Sequence, residues 1–246
     1  MGTVEILQNQ GAAWDFFDKI YCITLESRPD RMEEASRQFA QVGLADRVEF
    51  FITKKDTDDP VRGIFQSHLH CLRQGIKANA EHILIFEDDI LFRGFDEQGL
   101  REACCYLKKN TLWDGFFLGC ITDGSLPTGS RNTRQIDYRC LTHGYALRRP
   151  FAERIIREPW RGIPYDGLLK QFNHNYFALA SMCAFQRPTP SDNQTVVIDR
   201  LRNLLGGLPF IQKCNELYQN NKKLIILSHV LVAVIVLGLL CLRSCR

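Results

Sequence analysis

The sequence lacks the cysteine spacing of a disulfide-rich or zinc-binding protein. It contains ten cysteines among 246 residues, but no two of them form a Cys-x-x-Cys pair. Several lie inside apolar runs, where a free thiol behaves as a small hydrophobic side chain. We therefore expect the cysteines to be reduced and mostly structural, and we predict neither a disulfide framework nor a zinc site.

The sequence also lacks a large excess of charge of one sign. The formal net charge is only +3, because 31 basic side chains are nearly matched by 28 acidic ones. A nucleic-acid-binding surface usually needs a cluster of basic residues, often interleaved with aromatic ones. The sequence has no such cluster, so we expect no nucleic acid partner.

One long hydrophobic run is present, at residues 224–242, and it carries no formally charged side chain. As a helix it would extend roughly 28 Å, close to the thickness of the hydrocarbon core of a bilayer. We predict a single-pass transmembrane tail anchor; the alternative is a buried core helix. No secretory signal is apparent at the amino terminus, so we expect a membrane protein whose remaining domain is cytoplasmic.

Buried strands alternate with amphipathic helices in the first hundred residues. KIYCITL, VEFFI and ILIFE have the composition of buried strands, and the segments between them have helical periodicity. This order predicts an α/β fold, with a mostly parallel sheet and helices on both faces. We expect this domain to comprise residues 1–200, followed by a juxtamembrane linker or helix at 201–223 and the anchor at 224–242. The polar segment 122–135 predicts a mobile loop.

Three adjacent carboxylates, Glu87, Asp88 and Asp89, interrupt the apolar stretch ILIFEDDILF. They follow a predicted parallel strand, and ligands of such sheets bind beyond the carboxyl ends of the strands. Alternation along the strand would put Glu87 and Asp89 on one face and Asp88 on the other. Two carboxylates aimed at one point suit Mg²⁺ or Mn²⁺. The alternative is that the acids cap loop amides or form structural ion pairs with nearby arginines.

Several segments occur in the order typical of glycosyltransferase family 25, which the chain resembles. They are YCITLESRPDRM (21–32), GIFQSHLHCL (63–72), ILIFEDDILF (83–92), WDGFFLG (113–119) followed by HGYAL (143–147), and PYDGLL (164–169). The family includes bacterial lipopolysaccharide glycosyltransferases and procollagen galactosyltransferases. The resemblance implies a GT-A-like nucleotide-sugar fold, a metal at the acidic motif and inversion at the sugar carbon. Thr24 departs from the pattern, because the family usually has Asn there.

Within this interpretation, Glu87 and Asp89 are expected to bind the metal. His143 begins the HGYAL segment and is expected to join them or to reach the acceptor. The alternative is a histidine that is simply hydrogen-bonded within the fold. Asp166 is the expected general base, because transfer to a hydroxyl requires a group that takes its proton. The alternative for Asp166 is an N-cap of the following helix.

The nucleotide sugar needs groups that bind a diphosphate. The guanidinium groups after the first strand match phosphate geometry, and a helix expected to open near residue 67 offers amides that favour anions. The residues expected to contact the nucleotide sugar are Arg28, Arg31, Ser67, His68 and Asp88.

The sequence therefore predicts a metal-dependent inverting glycosyltransferase, with Mn²⁺ or Mg²⁺ as cofactor. We expect it to move a sugar from a nucleotide sugar, with a UDP-sugar favoured, to a hydroxyl of a saccharide, glycolipid or protein, as in lipopolysaccharide biosynthesis. One alternative is a catalytically inactive glycosyltransferase-like domain, kept as a membrane-tethered binding module. Another is a metal-dependent phosphohydrolase, although such enzymes usually place their acids after the first strand, where this chain has Leu25 and Glu26.

Overall fold

An eight-stranded sheet forms the centre of the fold in the computed structural model, which describes residues 13–187 and 207–244. The strands are β1 (Lys19–Leu25), β2 (Val48–Thr53), β3 (His82–Glu87), β4 (Ile90–Phe92), β5 (Gly115–Phe117), β6 (Ile121–Pro127), β7 (Thr133–Cys140), β8 (Gly144–Arg148), β9 (Tyr176–Leu179) and β10 (Ala184–Gln186). The helices are α1 (Pro29–Gln41), α2 (Pro60–Lys77), α3 (Glu97–Lys109), α4 (Arg149–Ile155), α5 (Tyr165–Gln171) and α6 (Gly207–Ser244).

The order of strands in the main sheet is β2-β1-β3-β8-β5-β9-β7-β6. The antiparallel pairs are β3–β8, β5–β8, β7–β9 and β6–β7, so only β7 and β8 run against the other six strands. Strands β4 and β10 form a separate antiparallel ribbon. The prediction of an α/β fold with a mostly parallel sheet is confirmed.

Helices cover both faces of the sheet because successive strand residues point to opposite sides. Cys22 and Phe86 pack in one hydrophobic cluster with residues of α1 and α3. Ile83 and Ile85 pack in a second cluster with residues of α2, α4 and α5. Both sides of β3 are therefore buried, which explains its continuous apolar sequence.

Helix α2 begins seven residues earlier than the sequence analysis expected. Its N-cap is Asp59, whose side chain accepts a hydrogen bond from the backbone N–H of Arg62 at 3.1 Å, and Pro60 follows at the first helical position. Ser67 lies within the helix, where its hydroxyl donates to the carbonyl of Gly63 at 2.8 Å. The prediction that Ser67 and His68 open a helix is wrong, because the Asp-Pro start signal lies upstream of them.

The polar segment 122–135 forms most of a β-hairpin, and the prediction of a mobile loop there is wrong. Strand β6 pairs with β7 in antiparallel register from Ile121 to Pro127, with bulges near Thr122. This hairpin lies at the edge of the sheet and is largely exposed on one face, so its strands need few apolar residues.

Helix α6 joins the sheet domain to the apolar run without a break. Its first turns are fixed to the sheet: the Gln212 amide donates to the carbonyl of Ala184 at 2.8 Å, and the Asn215 side chain bonds the backbone of Thr122. The large apolar side chains from Leu224 to Leu237 are half or more exposed in most cases. Residues Gly207–Leu237 form a helix long and apolar enough to cross a membrane, and none of its apolar window is buried. The predicted boundary at residue 200 lies outside the described residues.

Candidate active site

A cleft of about 270 Å³ opens at the carboxyl ends of the three parallel strands β1, β2 and β3. Strand β1 contributes Thr24 and Leu25, strand β2 contributes Thr53, and strand β3 contributes Glu87. The strands end together because Leu25 lies opposite Thr53 in the parallel register. This is the edge at which α/β sheets bind ligands.

All three carboxylates of the acidic motif line this one cleft. Strand β3 ends at Glu87, residues 88 and 89 form a turn, and β4 starts at Ile90. The predicted alternation, with Asp88 on the opposite face, is therefore wrong, because a turn replaces the strand at that point. The turn directs the side chains of Glu87, Asp88 and Asp89 into the same cleft.

Each carboxylate has a different set of partners. Asp88 accepts a hydrogen bond from the hydroxyl of Thr24 at 2.8 Å and lies 3.3 Å from the Arg31 guanidinium. Glu87 accepts from the hydroxyl of Thr142 at 2.8 Å. Asp89 accepts from the Gln186 amide at 2.7 Å through Oδ2, whereas its buried Oδ1 has no hydrogen-bond partner in the described residues.

These environments separate the pKa values of the carboxylates. Burial, and then the charge of Glu87, raises the pKa of Asp89 to about 7. Burial likewise raises the pKa of Asp88, against the opposing effects of Thr24 and Arg31. Burial also opposes ionisation of Glu87, but the nearby His68 and Thr142 more than offset it, and its pKa is lowered. Glu87 is therefore the carboxylate most readily ionised, while Asp89 holds a proton until near neutral pH.

His68 lies behind Glu87 in a buried aromatic cluster. Its side chain is fully buried, its Nδ1 is 3.0 Å from the hydroxyl of Tyr145, and its ring stacks on Tyr165 at 4.2 Å between centroids. Its Nε2 is 3.6 Å from the carboxylate of Glu87. The arrangement orients Glu87. His68 and Ser67 both line the first cleft, but they do so from within helix α2 and not from its first turn.

A second cavity, of about 340 Å³, adjoins the first. Ile64, Glu87 and Gln186 line both cavities, whereas Asp166 lines only the second. Asp166 is the second residue of α5, whose N-cap is Pro164. Burial raises its pKa, which makes its carboxylate a stronger base than an exposed aspartate. The acidic cleft therefore adjoins the cavity that contains the predicted general base, and the two cavities have lining residues in common.

His143 also lines the second cavity but is almost fully buried. Its Nε2 lies 3.0 Å from the carbonyl of Ala184, to which it donates, and its Nδ1 has no hydrogen-bond partner in the described residues. Burial lowers the pKa of the imidazole, so it is neutral at pH 7. This hydrogen bond connects the side chain of His143 to strand β10.

The described residues contain no group of three His, Cys, Asp or Glu side chains that could hold a metal ion alone. The acidic cleft nevertheless fits a divalent cation whose coordination is completed by another ligand, such as a diphosphate. Asp89 is buried with an unpartnered oxygen, and its pKa is raised first by burial and then by the charge of Glu87, which a bound cation would offset.

Arg28 is the predicted ligand-binding residue that does not line either cavity among the described residues. Its guanidinium instead forms a fork with Asp30 at 2.8 and 2.9 Å. Conversely, the cleft contains two lysines that the sequence analysis did not select, Lys54 and Lys55, directly after β2. The rule about strand ends could have found them, because it applies to every parallel strand and not only to β3.

Similarity to known proteins agrees with the resemblance carried by the motifs. A curated relative from Aedes aegypti, described as a "Glycosyltransferase 25 family member", is 25% identical over 170 residues, with 56% of this chain covered. The chain spans only 28% of the length of that relative. No protein-family model matches the chain.

Solved structures overlap only partly with this fold. The protein A197 from STIV has a TM-score of 0.43 and 14% identity, covering 68% of this chain and 85% of the other. A UDP-glucose pyrophosphorylase complexed with UDP-glucose has a TM-score of 0.39 and 8% identity, covering 65% of this chain and 72% of the other.

The resemblance to glycosyltransferase family 25 is confirmed by a family member from Aedes aegypti, to which just over half of this chain is similar.

Proposed function

We propose that this chain is a membrane-anchored glycosyltransferase that moves a sugar from a UDP-sugar to a hydroxyl acceptor with inversion. One observation carries the proposal: an acidic cleft at three parallel strand ends shares Glu87 and Gln186 with a second cavity that contains Asp166. The first cavity suits the nucleotide diphosphate, and the second suits the acceptor. The relative from Aedes aegypti supports the transferase class.

The residues of the first cavity would hold the donor. Arg31, Lys54 and Lys55 supply positive charge for the diphosphate. Glu87 and Asp89 would hold Mn²⁺ or Mg²⁺, and such a cation neutralises charge on a departing diphosphate. Thr24 and Gln186 fix the orientation of the neighbouring carboxylates Asp88 and Asp89.

The second cavity would supply the base. The acceptor hydroxyl gives its proton to the carboxylate of Asp166 while its oxygen forms a bond to the anomeric carbon. The bond between that carbon and the diphosphate oxygen breaks, and the electron pair leaves with UDP. A base and a leaving group in adjacent cavities on opposite sides of the sugar favour inversion of its configuration. Positioned base catalysis contributes about 10²–10⁴-fold to rate.

The test uses the full-length protein in detergent. UDP with Mn²⁺ should raise the melting temperature, and UDP in EDTA should do so less, since a ligand at 100 times its Kd adds about 2.7 kcal/mol. Asp166→Asn should keep the UDP response but lower the turnover of UDP-sugars by at least about 10²-fold. Asp114→Asn is the matched control, because Asp114 also has a pKa raised by burial but lies outside both cavities.

Each contradicting result has a separate meaning. The absence of any response to UDP, with or without Mn²⁺, would contradict nucleotide-sugar binding. Normal turnover in Asp166→Asn would contradict its role as base. A UDP response without turnover of any UDP-sugar would favour the inactive, membrane-tethered binding module.

A further inference from the structure

A cavity separate from the active site lies between the β6–β7 hairpin and helix α6. Its volume is about 660 Å³, and its walls include Arg134, Asn220, Lys222, Lys223 and Leu224. Leu224 is the first residue of the exposed apolar run of α6. The cavity therefore opens where the helix leaves the sheet domain and its apolar run begins.

The polar part of this cavity carries excess positive charge. Arg134, Lys222 and Lys223 line it, against one acidic residue, Asp137, which is engaged by the side chain of Asn173. Among the described residues, no carboxylate forms an ion pair with any of these three cations, whereas most other arginines of the domain have such a partner.

Arg134 is held in place by polar contacts and not by a counter-ion. Its Nε donates to the hydroxyl of Ser125 at 3.1 Å, and its Nη2 donates to the carbonyl of Asn220 at 3.3 Å. The Ser125 hydroxyl donates in turn to the Asn220 side chain at 2.7 Å. A partly buried guanidinium, preorganised by the helix and the hairpin, is suited to bidentate binding of a phosphate.

The cavity also has an apolar part, formed by Leu126, Pro127, Ile136 and Leu224. Leu126 and Leu224 are largely exposed to solvent, at 58% and 66%. Cationic and apolar groups that line one cavity match a molecule with a phosphate head and a hydrocarbon tail. A free nucleotide or inorganic phosphate would leave the apolar wall uncovered.

We propose that this cavity binds the phosphate headgroup of an anionic membrane lipid, with Arg134 as the central contact and Lys222 and Lys223 beside it. The proposal rests on the membrane anchor within the proposed function but not on glycosyl transfer. A lipid held there would join the β6–β7 hairpin to α6 at the membrane surface and fix the orientation of the domain.

The experiment places the full-length protein in nanodiscs of phosphatidylcholine, alone or with one-fifth phosphatidylglycerol. The anionic lipid should raise the melting temperature of the wild type by about 3–8 °C, as expected for a ligand that binds only the folded state. Arg134→Gln should lose most of that shift. Arg139→Gln is the matched control on the same strand, because Arg139 is paired with Asp123 at 3.3 Å outside the cavity and should keep the shift.

The double variant Lys222→Gln, Lys223→Gln changes exposed side chains and should reduce the shift even if Arg134→Gln folds poorly. An equal loss in Arg139→Gln would indicate general attraction to a charged surface and overturn the site. An equal rise with inorganic phosphate in phosphatidylcholine nanodiscs would overturn the lipid as ligand. Resistance of the wild type to carbonate extraction is measured in parallel, so that a membrane-integrated protein without a lipid shift contradicts the cavity and not the anchor.

Discussion

At the scale of single residues, Asp89 has the environment that most directly tests the cation hypothesis. It is buried, its Oδ1 has no partner in the described residues, and its pKa is raised from 3.8 to about 7. Between about pH 4 and pH 7 the folded state therefore holds a proton that the unfolded state has lost. The free energy of unfolding of the metal-free protein should fall across that window and level off above it.

Asp89→Asn should remove this fall in the free energy of unfolding. In EDTA at pH 8 the variant should be more stable than the wild type by roughly 2–4 kcal/mol, because each pKa unit corresponds to about 1.4 kcal/mol. Below about pH 4, where both states of the wild type hold the proton, the two should be nearly equal. The variant should also respond less to UDP with Mn²⁺, since it loses a charge at the cation site. Thermal melting across this pH range measures both effects.

Asp30→Asn serves as the comparison for this prediction. Asp30 is exposed, and its hydrogen bonds with Arg28 lower its pKa to about 2, so its replacement should not stabilise the protein at pH 8. A structural ion pair at Asp89 would give the opposite result: a loss of stability at pH 8 when the carboxylate is replaced. That outcome, with an unchanged UDP response, would contradict the cation site.

At the scale of elements, the sequence predicted best where burial dictates the pattern. Strands β1 and β3 are apolar because they are covered on both faces, and helix α1 has a regular apolar stripe. The hairpin at 122–135 was missed because an exposed edge strand needs no such pattern. The position of Asp88 in the same cleft as Glu87 and Asp89 was missed because a two-residue turn leaves no mark in periodicity.

The site also depends on contacts that no local sequence pattern specifies. Gln186 reaches Asp89 only because β10 pairs with β4, which directly follows the acidic turn. Thr142 reaches Glu87 only because β8 lies beside β3 in the sheet. These pairings join positions far apart in the chain, and they are decided by packing of the whole domain.

Gly119 is the residue on which the position of β10 depends. A Cβ atom placed there would lie 1.8 Å from the carbonyl oxygen of Ala184. That oxygen accepts hydrogen bonds from both His143 and Gln212, so it cannot move without breaking them. Gly119→Ala should therefore lower stability by at least about 2 kcal/mol, as other overpacked sites do, and should reduce turnover by displacing Gln186.

Gly129→Ala is the control for this substitution. A Cβ there would meet only the ring of Tyr106, at 3.7 Å, which is an ordinary contact. Its effect on the melting temperature should be small. If both glycine variants melt like the wild type, strand β10 is more loosely held than its contacts with Gly119 indicate.

At the scale of the whole molecule, helix α6 has two halves with different surroundings. The half before Leu224 contacts the sheet through Gln212, Asn215, Glu216 and Asn220. We predict that a chain ending at residue 223 is soluble and folded, whereas the full chain resists carbonate extraction from membranes. A chain ending at residue 206 should be clearly less stable, because it loses those contacts.

The melting temperatures of the two truncated chains decide this point. Equal stability would mean that the first half of α6 adds nothing to the domain. Unfolding of the chain that ends at residue 223 would mean that the apolar run is a core element, contrary to its exposure.

The continuity of α6 has a consequence for how the protein would meet the acceptor of the proposed reaction. The side-chain amide of Asn220 donates a hydrogen bond to the carbonyl of Ala180. Asn220 precedes Leu224 by four residues, or about 6 Å along a helix. With the apolar run in a bilayer, the domain would have no stalk and would rest directly on the lipid surface. Acceptors confined to the same bilayer would then be met by lateral diffusion, at a rate governed by their number per unit area. Such confinement raises the effective concentration of an acceptor far above its average in the cell volume, so modest intrinsic affinity would suffice for a lipid-bound acceptor but not for a dilute soluble one.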